Sequence, residues 1–191
     1  MKTLQYINTY SHYWEEANFS HKIIIFFSYF LFFPLWEIIG GFIFWFVTTG
    51  QLDFAHYYFT PLSLAVNFLT LIFPILIPLL LNSFFEEIIF RLPLSFIFKK
   101  VKNYNARLIS ITMSCFLFGV YHVLSYSNPD PILILEVMLL KYVAAYVFVI
   151  FYLVVGGVEG KIAKPLILVS LLHFLVDVFI LSAFGLPSFM K

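Results

Sequence analysis

The chain has 191 residues, 62% of them hydrophobic and 11% charged, with a mean hydropathy of +0.98. A water-soluble domain is roughly half apolar and a quarter charged, so this composition excludes one and points to an integral membrane protein. The formal net charge of +1 offers no basic surface for a nucleic acid, and the single cysteine, Cys115, excludes an internal disulfide.

In chain order, the opening stretch "MKTLQYINTYSHYWEEANFSHK" is polar and aromatic, not a short apolar core with a cleavage site, so no removable signal peptide is expected. A membrane-crossing helix needs about 20 mostly apolar residues. Candidates are Ile23 to Val47, Leu62 to about Phe98, Leu108 to Leu124, Ile132 to Val155 and Pro165 to Phe184. The second is too long for one crossing, reaching about 55 Å as unbroken helix against a hydrocarbon core of about 30 Å. Pro74 and Pro78 interrupt it, so it is either one bent helix or two crossings joined near "LLNS". The expected fold is all-α, a polytopic bundle of five or six spans around a buried polar site. Residues 1–60 would form a polar segment plus the first span, and residues 61–191 the core.

Basic residues orient the chain. Lys99, Lys100, Lys102 and Arg107 fill one loop and Lys161 and Lys164 another, whereas the connections at 48–60 and 125–131 carry none. The positive-inside rule places the two basic loops in the cytoplasm. Lys2 and Lys22 balance Glu15 and Glu16, leaving the side of the N-terminus open. Tyr10, Tyr13, Trp14, Tyr57 and Tyr58 suit an interfacial aromatic belt, and His12, His21 and His56 are expected in solvent.

Counting inward from the basic loops at about 1.5 Å per residue puts Glu86 about 18 Å deep, His122 about 22 Å, His173 about 13 Å and Asp177 about 20 Å. Three helices thus bring ionisable groups to one depth, where a charge costs about 2.5 kcal/mol or more to insert. Glu87 and Arg91 are four residues apart and pair on one face, and Glu86 points about 100° away, free for other work. Phe118 shares a face with His122, beside Gly119, and His173 shares one with Asp177. Two histidines and an uncommitted carboxylate make a general acid–base set able to activate water.

Glu86-Glu87-x-x-x-Arg91, Phe118-x-x-x-His122 and His173-x-x-x-Asp177, in this order on separate membrane helices, resemble the CPBP family of intramembrane endopeptidases. That family includes CAAX prenyl endopeptidases and bacterial proteins of bacteriocin processing and self-immunity. The resemblance covers roughly residues 75–185. It implies that Glu86 and His122 activate water, that His173 and Asp177 stabilise the oxyanion, and that Glu87, Arg91 and Phe118 support them. It also admits a metalloprotease in which Glu86, His122, His173 and Asp177 hold a divalent ion such as zinc, although the reading without a cofactor is favoured. The implied partner is a membrane-associated peptide, lipidated or CAAX-like; the short, compact chain points to a bacterial cell membrane. The alternative is a non-catalytic immunity factor or scaffold of the same fold.

Two departures stand out. The family's commonest residue at the end of the third motif is Asn, and an ionised Asp177 cannot donate to an oxyanion as an amide does. Leu92-Pro93 follows Arg91 where glycine is frequent. Three carboxylates (Glu86, Glu87, Asp177) against one guanidinium leave a charge of −2, which a low-dielectric site tolerates poorly. The expected relief is that Asp177 stays protonated and acts as a donor; a protonated histidine or a divalent cation would also relieve it. Glu37, Glu136 and Lys141 lie in apolar segments outside the motifs: Glu136, near a span end, is expected to snorkel, Glu37 to face a neighbouring helix, and Lys141 is given no role.

Overall fold

The computed structural model describes residues 2–50 and 65–184. His56, Tyr57 and Tyr58 fall outside the described residues. Helix α1 (Lys2–Glu16) precedes the long α2 (Phe19–Thr49), whose N-terminus is capped by the Asn18 side chain accepting from the His21 amide at 2.9 Å. Gly50 ends α2 in the left-handed conformation, φ 70°, which glycine adopts without a Cβ penalty. A π-turn (Phe68–Ile72) and a 3₁₀ turn (Phe73–Ile75) lead into α3 (Leu76–Lys100). Then follow α4 (Tyr104–Leu124), α5 (Pro131–Val154), a 3₁₀ turn (Gly157–Glu159) and α6 (Ala163–Phe184). Asn103 and Asp130 cap α4 and α5, and Pro131 occupies the first turn of α5, where its missing N–H costs nothing.

Among the described residues five helices are long and apolar enough to cross a membrane: Phe19–Phe44, Phe73–Lys100, Tyr104–Leu124, Pro131–Val154 and Ala163–Ala183. In its described part the second segment contributes one such helix. Leu80, Leu81, Asn82 and Ser83 lie inside uninterrupted α3, so no two-span joint exists at "LLNS". The irregular backbone is confined to the turns around Pro74. Pro78 sits in the first turn of α3, the one part of a helix that tolerates it.

α3 shows how the bundle is oriented. Ile77, Leu81, Phe85, Ile89 and Phe96 are exposed on its outer face, while Ser83, Glu86, Glu87, Phe90, Arg91 and Leu94 are buried on the inner one. The polar residues therefore face protein and the apolar ones face outward, as a lipid solvent requires. α5 is the central helix, with over half of its spanning window buried against 11% for α2. It packs against α4, α2, α1 and α6, and α3 packs on α6 and α4.

One hydrophobic core includes Ile7 and Trp14 of α1 and Phe33 of α2 together with Phe118, Phe148 and Val169. Trp14 is thus a core residue, 3% exposed and edge-on to Phe151 at 6.0 Å, not a member of an interfacial belt. Tyr10, Tyr13, His12 and His21 are exposed. α1 lies on the same face as both basic loops: Glu15 meets Lys161 at 3.3 Å and Lys164 at 3.0 Å, and Ser11 donates to Glu159.

Candidate active site

α3, α4 and α6 bring the six ionisable motif residues and Phe118 together. Glu86 Oε2 lies 4.0 Å from His122 Nε2 and 3.7 Å from His173 Nε2, and His173 Nε2 lies 3.5 Å from Asp177 Oδ2. The Asn82 amide donates to Glu86 Oε1 at 2.7 Å, one helical turn earlier on the same face. Glu86 Oε2 is buried without a hydrogen-bond partner among the described protein groups and faces the two imidazoles.

The histidine tautomers follow from their neighbours. His122 Nδ1 sits 3.0 Å from the Phe118 carbonyl, which only accepts, so Nδ1 carries the hydrogen and a neutral ring turns the Nε2 lone pair toward Glu86. His173 Nδ1 meets Glu87 Oε1 at 2.8 Å, and its Nε2 faces Glu86 and Asp177, so both ring nitrogens look onto acid oxygens. Phe148 lies against the His173 ring at 4.6 Å.

Glu87 does more than the spacing suggested. It meets Arg91 Nε at 3.1 Å as well as holding His173, with neither Glu87 nor Arg91 exposed. Arg91 also donates to Ser114 Oγ at 3.2 Å, and Ser114 in turn donates to the Phe90 carbonyl at 2.6 Å. The Arg91 guanidinium lies 5.1 Å from the Phe118 ring centre, and that ring touches His122 at 4.4 Å and His173 at 5.8 Å. Phe118 thus packs among three polar groups and fixes two of them. Gly119 beside it allows α5 to approach, since a Cβ there would meet Met138 Sδ at 3.3 Å.

Four further contributors escaped the sequence reading. Ser83 donates to Asp177 Oδ2 at 3.1 Å, and Asn82 orients Glu86. Asn82 is four residues before Glu86, a spacing that could have flagged it, whereas the Ser83 bond crosses to α6 and no spacing reports it. Glu37 of α2 and Lys141 of α5 pair at 2.7 Å and line the same cavity as Phe118, His122, His173 and Asp177. Glu37 thus faces a neighbouring helix, as expected, and does so at the cavity wall; Glu136 is half-buried nearer the start of α5. The cavity offers about 30 Å³ to the centres of water-sized molecules, against the roughly 10–15 Å³ that one water requires.

Two imidazoles and two carboxylates are chemically suited to a divalent cation. As placed, however, the donors run as a chain, His122–Glu86–His173–Asp177. No group of three or more His, Cys, Asp or Glu among the described residues is arranged to hold a metal ion.

The model of the family described as type II CAAX prenyl endopeptidase Rce1-like matches residues 68–179, more than half the chain and all three motifs. No curated protein and no solved structure matches the chain. This integral, multi-pass membrane protein belongs to the Rce1-like type II CAAX prenyl endopeptidase family.

Proposed function

We propose that the protein is an intramembrane endopeptidase that hydrolyses a peptide bond with water activated by Glu86 and His122. The observation that carries this reading is the buried, unpartnered Glu86 Oε2 standing 4.0 Å from the His122 Nε2 lone pair. A water about 2.8 Å from each acceptor would subtend about 90° between them, near its own H–O–H angle, and so could donate to both. Glu86 takes one proton as the oxygen attacks the scissile carbonyl. His173, with a proton on Nε2, faces the developing oxyanion, the usual source of a large electrostatic contribution. Glu86 then returns the proton to the leaving amine, so protons balance over the cycle.

The remaining residues act on this pair. Asn82 fixes the Glu86 carboxylate, Glu87 holds His173, and Arg91 offsets the charge of Glu87. Water activation by Glu86 and His122 is preferred to metal-bound water because the donors form a chain of pairwise contacts. Activity should therefore survive dialysis against a chelator, and loss restored by zinc would establish the metalloprotease instead. The substrate we propose is a lipidated, CAAX-like peptide reaching the cavity from lipid, in a bacterial cell membrane with the basic loops and α1 cytoplasmic.

The test compares wild type with Glu86→Gln, which keeps shape and removes the base. Proteomics of membrane and lipidated peptides should show termini produced only by the wild type. Identical peptide sets, with both proteins inserted and folded, would favour the immunity factor or scaffold.

A further inference from the structure

The Glu37–Lys141 pair is an ion pair at membrane depth, where charged groups mark function by default. Lys141 lies about 20 Å along α5 from Val154, the same depth that Asp177 reaches along α6 from Lys164. The Lys141 and Glu37 side chains are 29% and 19% exposed and line the cavity together with His122, His173 and Asp177.

Asp177, when ionised, creates the need for such a cation. An ionised carboxylate beside a developing oxyanion repels it, whereas an ammonium has three N–H donors and Glu37 occupies one at 2.7 Å. Other contacts besides the pair hold α2 against α5. Trp36 Nε1 donates to the Leu140 carbonyl at 3.1 Å, and Gly40 lies so close to Leu140 that a Cβ would fall 2.7 Å from its Cδ2.

We propose that Lys141 is a further catalytic residue, its ammonium stabilising the oxyanion on the Asp177 side of the cavity, with Glu37 as its positioning residue. This inference rests on the peptidase reading. It supplies from α5 the donor that the third motif lacks in this chain.

The experiment uses the full-length protein in liposomes with a fluorogenic farnesylated CAAX peptide. Lys141→Met should lower kcat about 100-fold or more, the loss typical of removing one oxyanion donor, with KM nearly unchanged. Lys141→Arg should keep part of the rate, and Glu37→Gln should lose less than Lys141→Met. The decisive variant is Lys141→Met combined with Asp177→Asn, which removes the cation and the opposing charge and adds an amide donor. It should recover at least about tenfold in kcat over Lys141→Met alone.

Unchanged kcat in Lys141→Met overturns the inference, as does a rise confined to KM, which would mark a binding group for a substrate carboxylate. Losses that follow unfolding temperature without recovery by Asp177→Asn overturn it too, leaving a helix staple. Glu86→Gln separates the two readings. If it abolishes cleavage while Lys141→Met does not, only the role of Lys141 fails. If the wild type does not cleave, or Glu86→Gln still cleaves, the peptidase reading fails and this one with it.

Discussion

At the face carrying the basic loops, Glu15 meets Lys164 at 3.0 Å with both side chains a third to a half exposed. In the interior, Glu87 meets Arg91 at 3.1 Å with neither exposed at all. The charges are alike and the distances nearly equal, yet water decides what each pair is worth. The outer pair exchanges hydration for a contact of similar strength, so it contributes little. The inner pair has no water to fall back on, and removing one partner strands a charge in a low-dielectric interior. Interior ionic groups are thus fixed in number and position, whereas the outer ones are interchangeable.

The sharpest break between the regions should come from Glu86→Gln. Loss of a general base typically costs 10²–10⁴-fold in rate, about 3–5 kcal/mol, and kcat should fall by that much while the unfolding temperature barely moves. Arg91→Met should act on stability instead. It leaves Glu87 uncompensated, and about 3–5 kcal/mol of folding free energy should disappear in thermal or denaturant unfolding in detergent. Asn82→Ala removes one hydrogen bond to the Glu86 carboxylate, so kcat should fall about tenfold, the equivalent of 1–1.5 kcal/mol.

Glu15→Gln, at the outer face, should cost less than about 1 kcal/mol and less still at high salt. The Lys164 hydrogen bond holds the Glu15 carboxyl below its usual pKa of 4.5, against an opposing effect of burial. Because the folded pKa is the lower one, this stabilisation is present above pH 4.5 and is lost as pH falls through the folded value. Acid unfolding of Glu15→Gln compared with wild type measures it. A Glu15 effect as large as that of Arg91 would erase the distinction between the regions.

The interior was legible where its signal was local. Depth counted from the basic loops placed Glu86, His122, His173 and Asp177 in the middle of the bilayer, and i, i+4 spacing paired Glu87 with Arg91. Spacing within one helix cannot report rotation toward another, so the bond from Glu87 to His173, 86 residues away, went unread. Glu37 and Lys141 are 104 residues apart on helices without a motif, and each alone resembled a stray polar group. The long second segment was ambiguous because proline signals a break only in a helix interior, and Pro78 lies in a first turn.

The most direct measurement is an experimental density map of the protein in lipid nanodiscs, at a resolution that shows ordered water. Glu86, His122 and His173 should close on one hollow, with a water within hydrogen-bond reach of both Glu86 Oε2 and His122 Nε2. Any of the three side chains turned to the acyl chains, or Glu86 and His122 too far apart for one water to bridge, would contradict the proposed chemistry.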